Sequence, residues 1–373
     1  MPISRRAVLG APFIAPLLGR AARAAGPVAF TDALGREVRL KAPPERIAVC
    51  FNYEEFTAVG GVAAWSRVVG MSKTLWSEWR PSVFRRYAAV IPHLAAMPDV
   101  GNTEDGNFSI EKLLSLRPDV VLLAEWSFTT LGAEIGRLEA LGIPVAVIDY
   151  NAQVPARHVA STLALGAVTG EMDRARALAD LYMAKLGEIQ RRTKGASARK
   201  VYIELGQGGA DVVGNTYWKG MWGRILDLIG AENIAAGKLA GAGGWGPLNP
   251  EYVLAANPDA IFIAGSSWVN RPAAVLTGFD ATPEVTRARL APYAKRQGWA
   301  GLNAIRNGEL HAIEHGLCRA LFDYTAIAYI AKALHPERFT DLDPVAELRD
   351  YHARFLPVAF EGAWMVQLGK VAA

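Results

Sequence analysis

An internal repeat constrains this chain more than any other feature. Residues 109–124 read SIEKLLSLRPDVVLLA and residues 249–264 read NPEYVLAANPDAIFIA. A constant offset of 140 relates Glu111 to Glu251, Pro118 to Pro258, Asp119 to Asp259 and Ala124 to Ala264. In the first copy Ile110, Leu113, Leu114 and Leu116 fall at helical spacing. Ser109 is placed to cap that helix, and Glu111 lies in its first turn, where the helix dipole favours an anion. Pro118 stops the helix. The run DVVLLA is continuously apolar, the mark of a strand covered on both faces. The second copy repeats the plan, so each is a helix feeding a buried parallel strand.

The flanking segments extend the alternation. RIAVCF (46–51) reads as a strand, 53–64 as a helix, 131–141 as a helix and GIPVAVID (142–149) as a strand. Further on, KVYIEL (200–205) is a strand, MWGRILDLIG (221–230) a helix and GELHAIE (308–314) a strand. Such β-α alternation builds parallel sheets with helices on both faces. The predicted fold class is therefore α/β, with two Rossmann-like lobes, 26–155 and 196–373. Residues 156–195 lack proline, are rich in helix formers and predict one long, largely continuous helix between the lobes, although Gly166 and Gly170 permit a break. The tail from 336 reads as helical, packed on the second lobe.

The formal charge of +4 suggests an anionic partner, but Arg5, Arg6, Arg20 and Arg23 account for all of it. They belong to MPISRRAVLGAPFIAPLLGRAARAAG, where paired arginines precede a short apolar run that ends in small residues. Residues 1–25 thus resemble a twin-arginine signal peptide, too short in its apolar part to span a bilayer. A nucleic-acid partner loses its support. A periplasmic, monomeric protein is expected, with no lipid anchor because no cysteine closely follows the cleavage site. Cys50 and Cys318 are the only cysteines. Each ends an apolar run and is expected to be a buried thiol, with a single disulfide as the alternative.

Ligands of open α/β sheets sit beyond the carboxyl ends of the strands, and two facing lobes make a cleft there. The segments following predicted strands are aromatic. They carry Tyr53, Trp76, Trp79 and Trp126 in the first lobe, and Tyr217, Trp218, Trp222, Trp245 and Trp268 in the second. Aromatic side chains grip large planar or greasy ligands with little entropy loss. Plugging of domain edges is the plainer role for any single one. Arg80 and Arg319 lie among them as candidates for a ligand carboxylate, hydroxamate or catecholate oxygen.

Enzyme signatures fail. HAIEH (311–315) has the spacing of a metallopeptidase motif, but that chemistry needs a helix and this segment reads as a strand. GQGGAD (206–211) lacks the third glycine of a dinucleotide fingerprint. No Gly-x-Ser-x-Gly elbow, phosphate loop or cysteine cluster occurs. No catalytic residue, intrinsic cofactor or protein-held metal is expected.

FTDALGREVRLKAPPERIAV (30–49), EKLLSLRPDVVLL (111–123), LEALGIPVAVID (138–149) and RILDLIGAENIA (224–235) together resemble the periplasmic substrate-binding proteins of iron-complex ABC importers. The resemblance spans nearly the whole chain after residue 25. It implies two lobes joined by a long helix, small closure on binding, and a ferric siderophore, haem or cobalamin held between the lobes. It also implies that Glu111 and Glu251 meet arginines of a permease dimer, a role the matched offset favours over, without excluding, that of helix N-terminal acids interacting with the dipole. Asp105, Glu104 and Glu125 add acid near the cleft, which leaves a cationic or neutral ligand open. For haem, Tyr53, Tyr217 and His315 are the candidate axial ligands. The alternative from another class is an exported cofactor-containing enzyme.

Overall fold

The computed structural model describes residues 26–239, 241 and 243–370. The segment read as a signal peptide lies outside them. The chain opens with an antiparallel hairpin, β1 (Val28–Thr31) and β2 (Glu37–Leu40), which the sequence reading did not anticipate. There follow β3 (Ile47–Val49), α1 (Tyr53–Gly60), β4 (Val68–Met71), α2 (Thr74–Ser77), α3 (Pro81–Val90), α4 (Ile110–Ser115), β5 (Val120–Ala124), α5 (Glu125–Leu131), α6 (Ala133–Ala140) and β6 (Val145–Ile148). Strands β4-β3-β5-β6 form a parallel sheet in that order.

Two helices, α7 (Pro155–Thr169) and α8 (Met172–Thr193), lead to the second half. It contains β7 (Lys200–Leu205), β8 (Asn215–Tyr217), α9 (Met221–Leu228), β9 (Glu232–Asn233), β10 (Trp245–Pro247), α10 (Pro250–Ala256) and β11 (Ala260–Gly265). After these come α11 (Pro283–Ala294), α12 (Asn303–Asn307), β12 (Leu310–Glu314), α13 (Tyr324–Leu334), α14 (Pro344–Phe355) and β13 (Met365–Gln367). The second sheet has the order β13-β12-β11-β7-β9 and is parallel except for the edge strand β13. The tail therefore adds a strand as well as the expected helix.

The repeat has a structural explanation. Asp119 N–H donates to Arg46 O at 2.7 Å, and its carboxylate accepts from Arg46 N–H at 2.8 Å. Asp259 makes the same pair of bonds to Lys200, at 2.8 and 3.0 Å. Each Pro-Asp thus stops a helix and clamps the entry of its strand to the neighbouring strand. Facing is preserved too. Val120 and Leu122 of β5 point into the same cluster as Ala260, Phe262 and Ala264 of β11. The intervening residues fill separate outer clusters. Apolar burial on both faces is what a continuous apolar strand requires.

The expected single linking helix is two. The chain turns at Gly170, whose φ of 78° is left-handed, and α7 and α8 fold back on each other. Gly166 permits this: a Cβ there would lie 2.4 Å from Ala175 Cβ. Helix α7 packs on α1 and β6, while α8 packs on α13, so the turn joins the two halves. One hydrophobic cluster runs from β3 and β5 through α7 and α8 to β7, β11, α13 and α14. Cys50 and Cys318 are buried free thiols.

Candidate functional site

Both sheets point their carboxyl ends at one cleft. From β3 come Phe51, Asn52 and the first turn of α1. Asn52 takes the left-handed conformation at φ 57°, turning the chain so that Tyr53, Glu54 and Glu55 enter the helix buried. From β12 come Glu314, His315, Gly316 and Arg319. Phe51, Tyr53, Glu54, Glu55, Trp76, Arg80, Gly316 and Arg319 line a cavity of about 30 Å³. That is room for one or two waters. In this state the cleft is shut.

The segment from α2 through α3 shuts it. Val269 N–H donates to Glu78 O, Ser82 Oγ lies 2.8 Å from Ser267 Oγ, and Arg86 pairs with Asp280 and Glu361. At the centre, the Arg80 guanidinium pairs with Glu54 and lies 3.5 Å from the Glu314 carboxylate, one partner from each half. Burial alone disfavours the Arg80 charge, but Glu54, Glu314 and Glu55 outweigh it and hold its pKa above the ordinary value. Gly316 makes this seat possible: a Cβ there would be 2.7 Å from Arg80 Cζ. Glu55 accepts from Leu321 N–H at 3.2 Å, and burial, with Glu54 beside it, pushes its carboxyl up to about 7.

The structure brings most candidates together, in different roles. Arg319 lies over the rings of Phe51, at 5.6 Å, and Trp79, at 5.9 Å. Trp126 packs edge-on against Phe51 at 4.5 Å. Tyr217, Trp222 and Trp268 surround His315. Tyr53 stacks on Trp76 at 4.6 Å. Its hydroxyl is turned inward and donates to the Ser72 carbonyl, and burial raises its pKa, so it is not poised to ligate a metal. Arg80 is committed to two carboxylates rather than free for a ligand oxygen.

Trp222 is a correction: it is 0% exposed in the core and donates its indole N–H to His315 Nδ1. Trp76 is likewise a core residue with one edge on the cavity. Trp218 is half-buried, its ring beneath Lys219. Trp245, 59% exposed, pairs with Tyr217 in the β8–β10 ribbon. The aromatic segments that follow β4 and β5 begin with the helices α2 and α5, which carry Trp76 and Trp126. Sequence reasoning missed Glu54, Glu55 and Glu314 as site residues; for Glu314 a carboxylate directly at the end of an apolar strand was the available signal.

Glu111 and Glu251 occupy matching exposed positions in the first turns of α4 and α10, whose caps are Ser109 and Asn249. Neither forms an ion pair among the described residues. His311 lies on β12, held by Glu309 and Tyr329, which excludes the helical metallopeptidase arrangement. No group of three metal-ligating side chains occurs among the described residues.

Comparison with known proteins agrees with this architecture. A TroA-like periplasmic binding protein, FepB from Veillonella parvula, superposes with a TM-score of 0.86 at 31% identity, covering 91% of this chain and 99% of that one. The molybdate-binding protein MolA of Haemophilus influenzae is 24% identical over 89% of this chain and 92% of its own. The uncharacterized ABC transporter substrate-binding lipoprotein YvrC of Bacillus subtilis is 24% identical over 84% and 88%. Residues 49–315 match the periplasmic binding protein family. The chain belongs to that family: it is an extracytoplasmic solute-binding protein of an ABC importer and not an enzyme.

Proposed function

We propose that this protein captures an iron-siderophore-type chelate between its lobes and delivers it to the permease dimer. The aromatic, arginine-bearing rim supports this reading most: Arg319 spread over Phe51 and Trp79, with Trp126 and Trp268 at the flanks. Such a rim suits a planar or greasy ligand better than a small hydrated ion. Residues 1–25 serve as a twin-arginine signal, and the mature protein acts as a monomer in the periplasm. Residues 26–155 and 196–373 are the two lobes. Glu111 and Glu251 set the register of docking, since exposed charges steer association more than they add affinity.

A chelate needs several hundred Å³, so it enters only after the bonds of the α2–α3 segment open. The 30 Å³ cavity beside two arginines favours a second reading, a small oxyanion such as the one named for the MolA relative. The buried carboxylates of Glu54, Glu55 and Glu314 count against it.

The test is intrinsic tryptophan fluorescence of residues 26–373, titrated with ferric siderophores, haem, cobalamin and molybdate. Saturable quenching by a ferric siderophore at micromolar concentration or below, lost in Trp79→Ala, is expected. Saturation by molybdate alone would replace the chelate reading.

A further inference from the structure

The cleft buries three carboxyl groups around one bridging arginine. Glu54, Glu55 and Glu314 are each no more than 4% exposed. Arg80 pairs with Glu54 and Glu314, and Glu55 forms no ion pair among the described residues. Glu54 Oε1 is buried without a hydrogen-bond partner, and Glu314 Oε2 meets only the Arg80 guanidinium, at 3.5 Å. A buried acceptor left unpaired is costly, more so when it is charged. Arg80 bridges the two halves through these same carboxylates, so a cation is already the group this seat holds. The adjoining 30 Å³ cavity is lined by Glu54, Glu55, Arg80 and Arg319 beside the stacked Tyr53 and Trp76 rings. An ammonium head is about the size of a water and fits that space. The aromatic walls add cation–π attraction.

We infer that the site selects a metal chelate carrying a protonated amine, whose N–H groups bond the unpaired Oε1 of Glu54 in the cavity it shares with Glu55, while the aromatic rim holds the chelate body. This rests on the chelate reading above and narrows it. An anionic chelate meets these carboxyl groups instead and is rejected. The carboxylates thus discriminate by repulsion as well as attraction.

The experiment titrates the mature protein with three probes. These are the ferric complex of desferrioxamine B, which carries a pendant ammonium, its N-acetylated neutral counterpart, and a ferric tris-catecholate trianion. The ammonium-bearing complex is expected to bind about 10-fold more tightly than the acetylated one, as for one charge-assisted hydrogen-bonded contact. In Glu54→Gln, and separately in Glu55→Gln, the ratio of the two affinities falls to within about 2-fold. A merely structural role would weaken both complexes together. Equal or tighter binding of the acetylated complex or the trianion, with quenching lost in Trp79→Ala, overturns the ammonium inference and leaves the chelate site standing. Quenching by none of the three overturns both.

Discussion

The indole N–H of Trp222 donates to Nδ1 of His315 at 3.1 Å. Indole can only donate, so that nitrogen of His315 must carry a lone pair. Burial, with Arg319 and Arg80 nearby, holds the imidazole well below its usual pKa, and it is neutral. The single ring proton therefore sits on Nε2, the nitrogen a metal would need. His315 is a donor in this site and not an axial ligand. Mixing the protein with haem is expected to give no histidine-ligated Soret spectrum. Such a spectrum in the wild type, abolished by His315→Ala, would sink the assignment.

Glu111 and Glu251 occupy symmetry-matched helix starts with no ion pair among the described residues, and neither touches the cleft. Charge reversal at both, Glu111→Lys with Glu251→Lys, is expected to cut ligand-dependent uptake by about 10-fold or more. Ligand affinity of the isolated protein stays unchanged. Helix-dipole loss is limited to about 1 kcal/mol per site. Normal uptake by a folded double variant would assign both residues to the dipole role alone.

Much of this architecture was legible in the sequence because the repeat couples three local signals: a cap, a proline stop and a continuous apolar strand. Asp119 and Asp259 were visible as a pair, and their clamp on Arg46 and Lys200 gives the pair a physical cause. The break at Gly170 was harder to see. Composition over 156–195 favours helix throughout, and the fold-back shows only in the tertiary packing that Gly166 permits against Ala175. Ring positions in the site depended on tertiary packing. Trp79 and Trp222 look alike in sequence, yet one reaches the cleft and the other lies in the core. Glu314 was read as the end of a strand because its partners, Arg80 and Ser266, come from other segments.

The fold-back at α7 and α8 yields its own test. Adding a Cβ at Gly166 places it 2.4 Å from Ala175 Cβ, so the helices must separate. Gly166→Ala is expected to cost about 1–3 kcal/mol, as overpacking does, despite alanine's better helix propensity. Ala175→Gly in the same chain removes the clash and recovers part of the loss. Denaturant melts of the two single variants and the double variant measure the coupling. Additive losses would mean that the two positions do not meet.

His352 provides a pH signature of the core. It lies on α14 at 0% exposure, ringed by Phe279, Phe322, Phe360 and Trp364. Burial pushes its pKa down to about 4 from 6.5. Between those values the unfolded chain binds a proton that the native state excludes, so stability rises with pH across that window. The contribution is complete above pH 6.5 and is lost as pH falls towards 4, by about 3 kcal/mol. His158, pushed down to about 4 by burial, acts in the same direction. Glu55, raised to about 7, acts oppositely: its ionisation in the fold is penalised, so its share of stability declines from pH 4.5 to 7. The sum of these effects is not diagnostic, but a difference is. His352→Leu is expected to gain on the wild type by about 3 kcal/mol between pH 6.5 and 4, with a constant gap above pH 6.5. Chemical denaturation of both proteins across that range measures it, and parallel stability curves would show that His352 takes up its proton without unfolding the core around it.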